Sequence, residues 1–195
     1  MFQTLDPNTA VTAASYVRRS DLDEEIQPLL TDEVNVRGFF DALMEADRVP
    51  EALDLMTRVL PARYAIAWAS ECLERDLAEQ AEPDQADRLC LAATKRWLGE
   101  PSEQHRRSAL EMAERLEYAT AGAWLAAAVA WSSGSIAPEN LEAVPAPPEA
   151  SPQALAATLK LIAAREKDAF DARLRGFLEL AVARFGTAAA GSQPE

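Results

Sequence analysis

The stretch Thr120-Ala121-Gly122-Ala123-Trp124-Leu125-Ala126-Ala127-Ala128-Val129-Ala130-Trp131-Ser132-Ser133 is a capping residue followed by a run that is apolar on every side. A helix without a polar face has to be covered by its neighbours, so this run predicts a central helix over 121–133. Its 11 nearly apolar residues, Ala121 to Trp131, fall well short of the roughly 20 needed to cross a bilayer. The covering material must therefore be other helices of the same chain.

Those helices are legible on the N-terminal side. Pro101-Ser102-Glu103 starts a helix to about Glu117 with Ala109, Leu110, Met112, Ala113 and Leu116 on its buried side. Glu82-Pro83-Asp84 opens another that stops at Gly99, with Ala86, Leu89, Cys90, Ala93 and Trp97 on one face and Asp87, Arg88, Lys95 and Arg96 off it. Pro61 ends one helix and starts the next, which runs to about residue 78 with Trp68, Cys72 and Leu73 in its stripe. Leu53, Met56, Val59 and Leu60 mark a short helix after Pro50, and Thr31 or Asp32 caps a helix to about Asp47. Before that, Pro7 and Pro28 interrupt any period, and residues 1–30 read as a poorly ordered, irregular arm with one short helix between Ala10 and Arg19.

On the C-terminal side, Pro138, Pro145, Pro147 and Pro148 turn residues 134–150 into an extended connector. Ser151-Pro152 then begins a helical period through Leu155, Leu159, Ile162, Phe170, Leu174, Phe177, Ala181 and Phe185. An unbroken helix over 151–186 would span about 50 Å. The tetrad Arg165-Glu166-Lys167-Asp168 lacks an apolar member, so the stripe either lapses for a turn there or the helix bends. Residues 187–195 read as a disordered tail. No segment alternates like a strand, and seven glycines are too few for a turn-rich sheet protein. The expected fold is all-α: a core of stacked antiparallel helical hairpins over 31–133, the Pro-rich connector, and a long C-terminal helix packing on the core.

The chain has 195 residues, is 49% apolar, and carries a net charge of -13. Residues 1–94 hold -11 of that and residues 95–195 only -2. Acidity concentrates in Asp21, Asp23, Glu24 and Glu25, whereas Lys95, Arg96, His105, Arg106, Arg107 and Arg115 form the one basic cluster. The acid excess argues against nucleic acid or an anionic membrane as partner. The N-terminus lacks the basic start and apolar run of an export signal, so a cytoplasmic location with reduced Cys72 and Cys90 is expected.

Side-chain chemistry is sparse. His105 has no nucleophile signature beside it, and the two cysteines sit on apolar helix faces rather than in the cationic setting that activates a thiol. The 21–25 acids lack the glycine and terminal glutamate of a calcium loop, and neither GxGxxG nor GxxxxGK occurs. No metal, cofactor or catalytic residue is expected; a pair of carboxylates brought together by folding is the one enzymatic route left open. The four tryptophans, Trp68, Trp97, Trp124 and Trp131, fall within 64 residues and read either as plugs of a shared core or as a set of which one or two line a groove. Trp97 is the expected exposed member, in a partner-binding patch with Lys95, Arg96, Arg106 and Arg107.

Three segments carry a family likeness: Leu60-Pro61-Ala62-Arg63-Tyr64-Ala65-Ile66-Ala67-Trp68-Ala69-Ser70-Glu71-Cys72, then Ala93-Thr94-Lys95-Arg96-Trp97-Leu98-Gly99-Glu100-Pro101-Ser102, then Thr120 to Ala128 with Trp131 to Pro138. In them the chain resembles a family of small all-helical bacterial proteins often encoded with type VI secretion genes. The resemblance covers about residues 30–185. It implies a non-enzymatic accessory, a chaperone or co-chaperone that helps load a secreted effector, with the effector or a larger chaperone as partner. A second expectation comes from the acidic first half: an immunity protein that covers the basic active site of a toxin.

Overall fold

The computed structural model describes residues 11–138 and 140–185. Among the described residues it contains eight α-helices and no strand, and β-type pairing is confined to two isolated bridges, Thr12 with Asn35 and Ser135 with Pro145. The fold is all-α, as the sequence predicts. The chain divides into two compact units, one built from Met1–Leu60 with Asp171–Glu195 and the other from Pro61–Phe170.

The second unit contains α3 (Ala62–Glu79), α4 (Gln85–Gly99), α5 (Glu103–Arg115), α6 (Ala121–Trp131) and α7 (Ala150–Ala163). Helix α6 packs against α3, α4, α5 and α7, and nine of its eleven residues are buried. Its run of alanines leaves no long side chain to hold neighbours away, so Ser151 at the start of α7 reaches its backbone and donates to the carbonyl of Ala128 at 2.8 Å. The starts are set locally: Asp84, Ser102 and Thr120 each accept the backbone N–H three residues on, from Asp87, His105 and Ala123. Each such cap satisfies a donor that the first helical turn leaves open.

Helix α4 is rotated from its predicted phase. Leu89 is half exposed, and Asp87, Cys90, Leu91, Ala93, Thr94 and Trp97 form the buried side. Asp87 is drawn inward by two partners remote in sequence: its Oδ1 accepts the N–H of Gly122 at 2.6 Å, and its Oδ2 is paired with Arg165. Arg165 also pairs with the buried Asp76 of α3, whose Oδ2 accepts from Gln80 Nε2 at 2.7 Å. One guanidinium thereby ties α3, α4 and the end of α7 together.

The first unit holds α1 (Val36–Glu45), α2 (Val49–Val59) and α8 (Phe170–Phe185, all but its first residue). Asn35, rather than Thr31 or Asp32, caps α1 by accepting from Gly38 at 2.8 Å, while Thr31 Oγ1 accepts the N–H of Val34. The arm is more ordered than expected over its described part. It forms 3-10 turns at Ala13–Ser15, Arg19–Asp21 and Gln27–Leu29 instead of one short helix, and it buries Ala13, Val17, Ile26 and Leu30. Arg48 at the start of α2 gathers Asp23, Glu25 and Glu51, so part of the acidic run is neutralised in place.

The long C-terminal helix is two helices. Helix α7 ends at Ala163, a 3-10 turn covers Lys167–Ala169, and α8 begins at Phe170. The physical reason is the charged tetrad itself, since the turn that lacks an apolar member gives Arg165 to the Asp76 and Asp87 carboxylates. The predicted core 31–133 is likewise redivided, with residues 31–60 joining the arm and α8. Residues 187–195 and the first ten of the arm lie outside the described residues.

Candidate functional site

The basic patch expected around Trp97 does not form. Trp97 is only 7% exposed, because Cys90, Ala93, Thr94 and Trp97 recur at three- and four-residue spacing on the buried side of α4. Arg106 is 2% exposed. Its Nε and Nη2 donate to the two oxygens of Glu103, at 2.7 and 2.6 Å; Nη2 also donates to Ser135 O at 2.7 Å, and Nη1 to Ala130 O. It closes the C-terminal end of α6 and pins the start of the connector. Gly134, at φ 69°, lies so near that a Cβ there would sit 2.9 Å from Arg106 Nε. Arg107 donates to Ala137 O at 3.1 Å and pairs with Glu103. Lys95 pairs with Glu74, which leaves Arg96 as the member on the surface with no partner among the described residues. Arg106 and Arg107 are turned to the fold because a guanidinium with five donors satisfies carbonyls as readily as it meets a partner's carboxylate.

A different aromatic group reaches the surface. Tyr118, Trp124 and Trp131 are each partly exposed and touch one another. Their ring centroids are 5.6 Å apart for Tyr118 and Trp124, 5.8 Å for Tyr118 and Trp131, and 6.3 Å for Trp124 and Trp131. Trp124 and Trp131 are seven residues apart, two turns of α6, and so share a face. Their rings meet edge to face at 74°, and Tyr118 lies closer to parallel with Trp131, at 29°.

Tyr118 owes its place to the way α5 ends. Glu117 N–H donates to Glu114 O at 2.9 Å and Tyr118 N–H to Ala113 O at 3.1 Å, the bond pair of a Schellman stop. Such a stop needs one residue at positive φ, a role in which glycine predominates. Here Glu117 has φ 50° and Tyr118 has φ 56°, two consecutive side-chain-bearing residues in the left-handed region. A bulky residue there is strained, and strain of this kind clusters at sites of function. The strained turn carries the Tyr118 ring onto the α6 tryptophans. Burial raises the Tyr118 phenol above its ordinary value, and the nearby Glu114 carboxylate adds to the rise.

The first unit offers a second feature, a cavity of about 100 Å3. Buried Val17, Phe39, Leu43 and Leu55 supply its apolar lining, and Asp21, Asp23, Glu51, Asp54 and Arg58 its charged lining. Asp21 is held below the usual carboxylate range by its hydrogen bond from Arg18.

The remaining candidates are structural in their surroundings. Asp76 and Asp87 are the buried carboxylates that folding brings together, but Asp87 commits both oxygens, and Asp76 commits Oδ2 to Arg165 and Gln80. Burial raises the Cys72 thiol strongly and pushes the Cys90 thiol up to about 12, with Asp87 adding to the latter, so both stay protonated near neutrality. His105 is half-buried at the start of α5 and shares a 2.9 Å hydrogen bond between Nδ1 and Glu100 O. Among the described residues no group of three or more His, Cys, Asp and Glu is placed to hold a metal ion, and no helix is long and apolar enough to cross a membrane.

Residues 39–185 match the model of a family described as "Family of unknown function (DUF6931)". No curated protein and no solved structure matches.

Proposed function

The chain belongs to this family of unknown function, and from that premise we propose that it is a non-enzymatic protein-binding accessory, a chaperone or co-chaperone that helps load a type VI secretion effector. The observation that carries the binding role is the partly exposed contact of Tyr118, Trp124 and Trp131 on a strained turn. Tryptophan and tyrosine are enriched among the few residues that carry most of the energy at protein interfaces, because they cover a large area with few rotatable bonds. The loading role rests on the resemblance of the three tryptophan-bearing segments to helical proteins encoded with type VI secretion genes. Co-purification of the chain with the effector, or with a larger chaperone encoded beside it, tests the proposal. Trp124→Ala with Trp131→Ala should abolish the association and leave the helical circular-dichroism signal in place; undiminished association in that variant removes the docking site.

The acidic cavity and arm favour a second reading, an immunity protein for a toxin with a basic active site. Asp21, Asp23, Glu51 and Asp54 outnumber Arg58 at one cavity, and Asp23 and Glu25 stay largely exposed while pairing with Arg48. Rescue of growth on co-expression with a neighbouring toxin would select this reading over loading.

A further inference from the structure

The three rings differ from an ordinary apolar patch in what surrounds them and in how close they stand. Glu114 and Glu117 are exposed on the last turn of α5 and the turn after it, next to Tyr118 in the chain, and the Glu114 charge is felt at the Tyr118 hydroxyl. The faces of Tyr and Trp rings are themselves electron-rich. With centroids 5.6 to 6.3 Å apart, the three rings are within reach of one long side chain, and its cation is attracted by the ring face it lies over when within about 6 Å of that centroid. One basic residue, Arg115, lies between the two glutamates in sequence, so the local excess is acidic.

We propose that Tyr118, Trp124 and Trp131 form a seat for one basic side chain, an arginine or lysine presented by the partner polypeptide. This rests on the docking reading above and specifies what is docked. The stem of such a side chain covers the indoles while its head meets a ring face and the glutamates, which suits a site that is half apolar and half anionic. The strained Glu117–Tyr118 backbone fixes the third ring before the partner arrives, so little ordering remains for the binding step.

The test uses the full chain and two short peptides that differ at one residue, arginine in one and its uncharged isostere citrulline in the other. Indole N–H resonances of the four tryptophans are assigned by single Trp→Phe variants and followed during titration. The arginine peptide should shift the Trp124 and Trp131 resonances and leave those of buried Trp68 and Trp97 in place, with affinity falling as salt is raised. Trp124→Leu, and separately Tyr118→Asn, should each weaken it about two- to fivefold; asparagine tolerates the left-handed backbone, so that variant removes the ring without added strain. Equal shifts from the citrulline peptide, no shift from either peptide, or shifts at Trp68 or Trp97 overturn the cation seat. Equal shifts would still leave an aromatic docking site, whereas retained partner association in the Trp124/Trp131 double variant would remove these rings as the docking site.

Discussion

Asp87 and Gly122 are 35 residues apart, yet the Oδ1 of one accepts the backbone N–H of the other at 2.6 Å, and a Cβ on Gly122 would lie 2.8 Å from the Asp87 Cα. Helix α4 thus supplies a cap to the first turn of α6 from its own buried face. In an ordinary helix Gly→Ala gains about 1 kcal/mol. Here the sign reverses, because the added methyl meets the Asp87 backbone and the Cys90 Cβ, neither of which can rotate away. Gly122→Ala should lower stability by about 1–3 kcal/mol in thermal or denaturant unfolding. An unchanged or higher midpoint would mean that α4 and α6 are not this close.

Arg106 is the second point where a buried polar group holds the second unit together. Arg106→Ala leaves the carbonyls of Ala130 and Ser135 without their donor and should lower stability by about 2–3 kcal/mol, below the cost of breaking a fully buried pair because Glu103 is half exposed. Arg106→Lys keeps the charge but loses the fork and should recover only part of it. Gly134→Ala should cost about 1–2 kcal/mol for its φ of 69° alone. Denaturant midpoints for the three variants decide; an Arg106→Ala midpoint equal to wild type would make the buried guanidinium dispensable.

The same pair gives a pH signature. Hydrogen bonding from Arg106, reinforced by its charge and that of Arg107, holds the Glu103 carboxyl below its ordinary value of 4.5. A depressed folded value contributes stability that is complete above about pH 4.5 and is lost as pH falls through the folded value. Glu103→Gln should therefore have its largest effect on Tm near neutrality and converge on wild type as pH falls from 4.5 through the lowered folded value. Parallel Tm curves across that range would count against the assignment.

Glu117 offers a gain rather than a loss. Its left-handed φ of 50° costs about 1–2 kcal/mol for a residue with a side chain, and glycine is free of that cost while giving back about 0.5–1 kcal/mol of unfolded-state entropy. Glu117→Gly should raise stability by up to about 1 kcal/mol, read as a higher unfolding midpoint, and it removes one of the glutamates beside the proposed cation seat. A lower midpoint would show that Glu117 is held by contacts outweighing the strain.

What could be read from the residues divides along the range of the interactions. Helix α6 was legible because eleven residues without a polar face leave one solution, and its start at Thr120 was legible because a cap acts over three residues. The face of α4 was not: Leu89 fits the apolar period better than Asp87, and only partners 35 and 78 residues away turn the carboxylate inward. The choice of Trp97 over Trp124 and Trp131 failed for a related reason. Seven-residue spacing put the latter two on one face of a helix read as wholly buried, and nothing local marks a glutamate and a tyrosine that take glycine's conformation to bring a third ring beside them. The C-terminal break lies between, since the missing apolar turn was visible but its use by Arg165 was not.

The division of the chain has a consequence for biosynthesis. The unit that begins first is completed last, because Asp171 follows Leu60 only after the whole of Pro61–Phe170 has been made. At about 5–20 residues per second, that interval lasts on the order of 5–20 s. The intervening unit has all of its helices available during translation, while the arm, α1 and α2 wait for α8 with Asp47 still lacking the Arg175 that pairs with it. On the ribosome the middle unit can therefore close before the unit that contains the N-terminal residues, a departure from the usual N-to-C sequence.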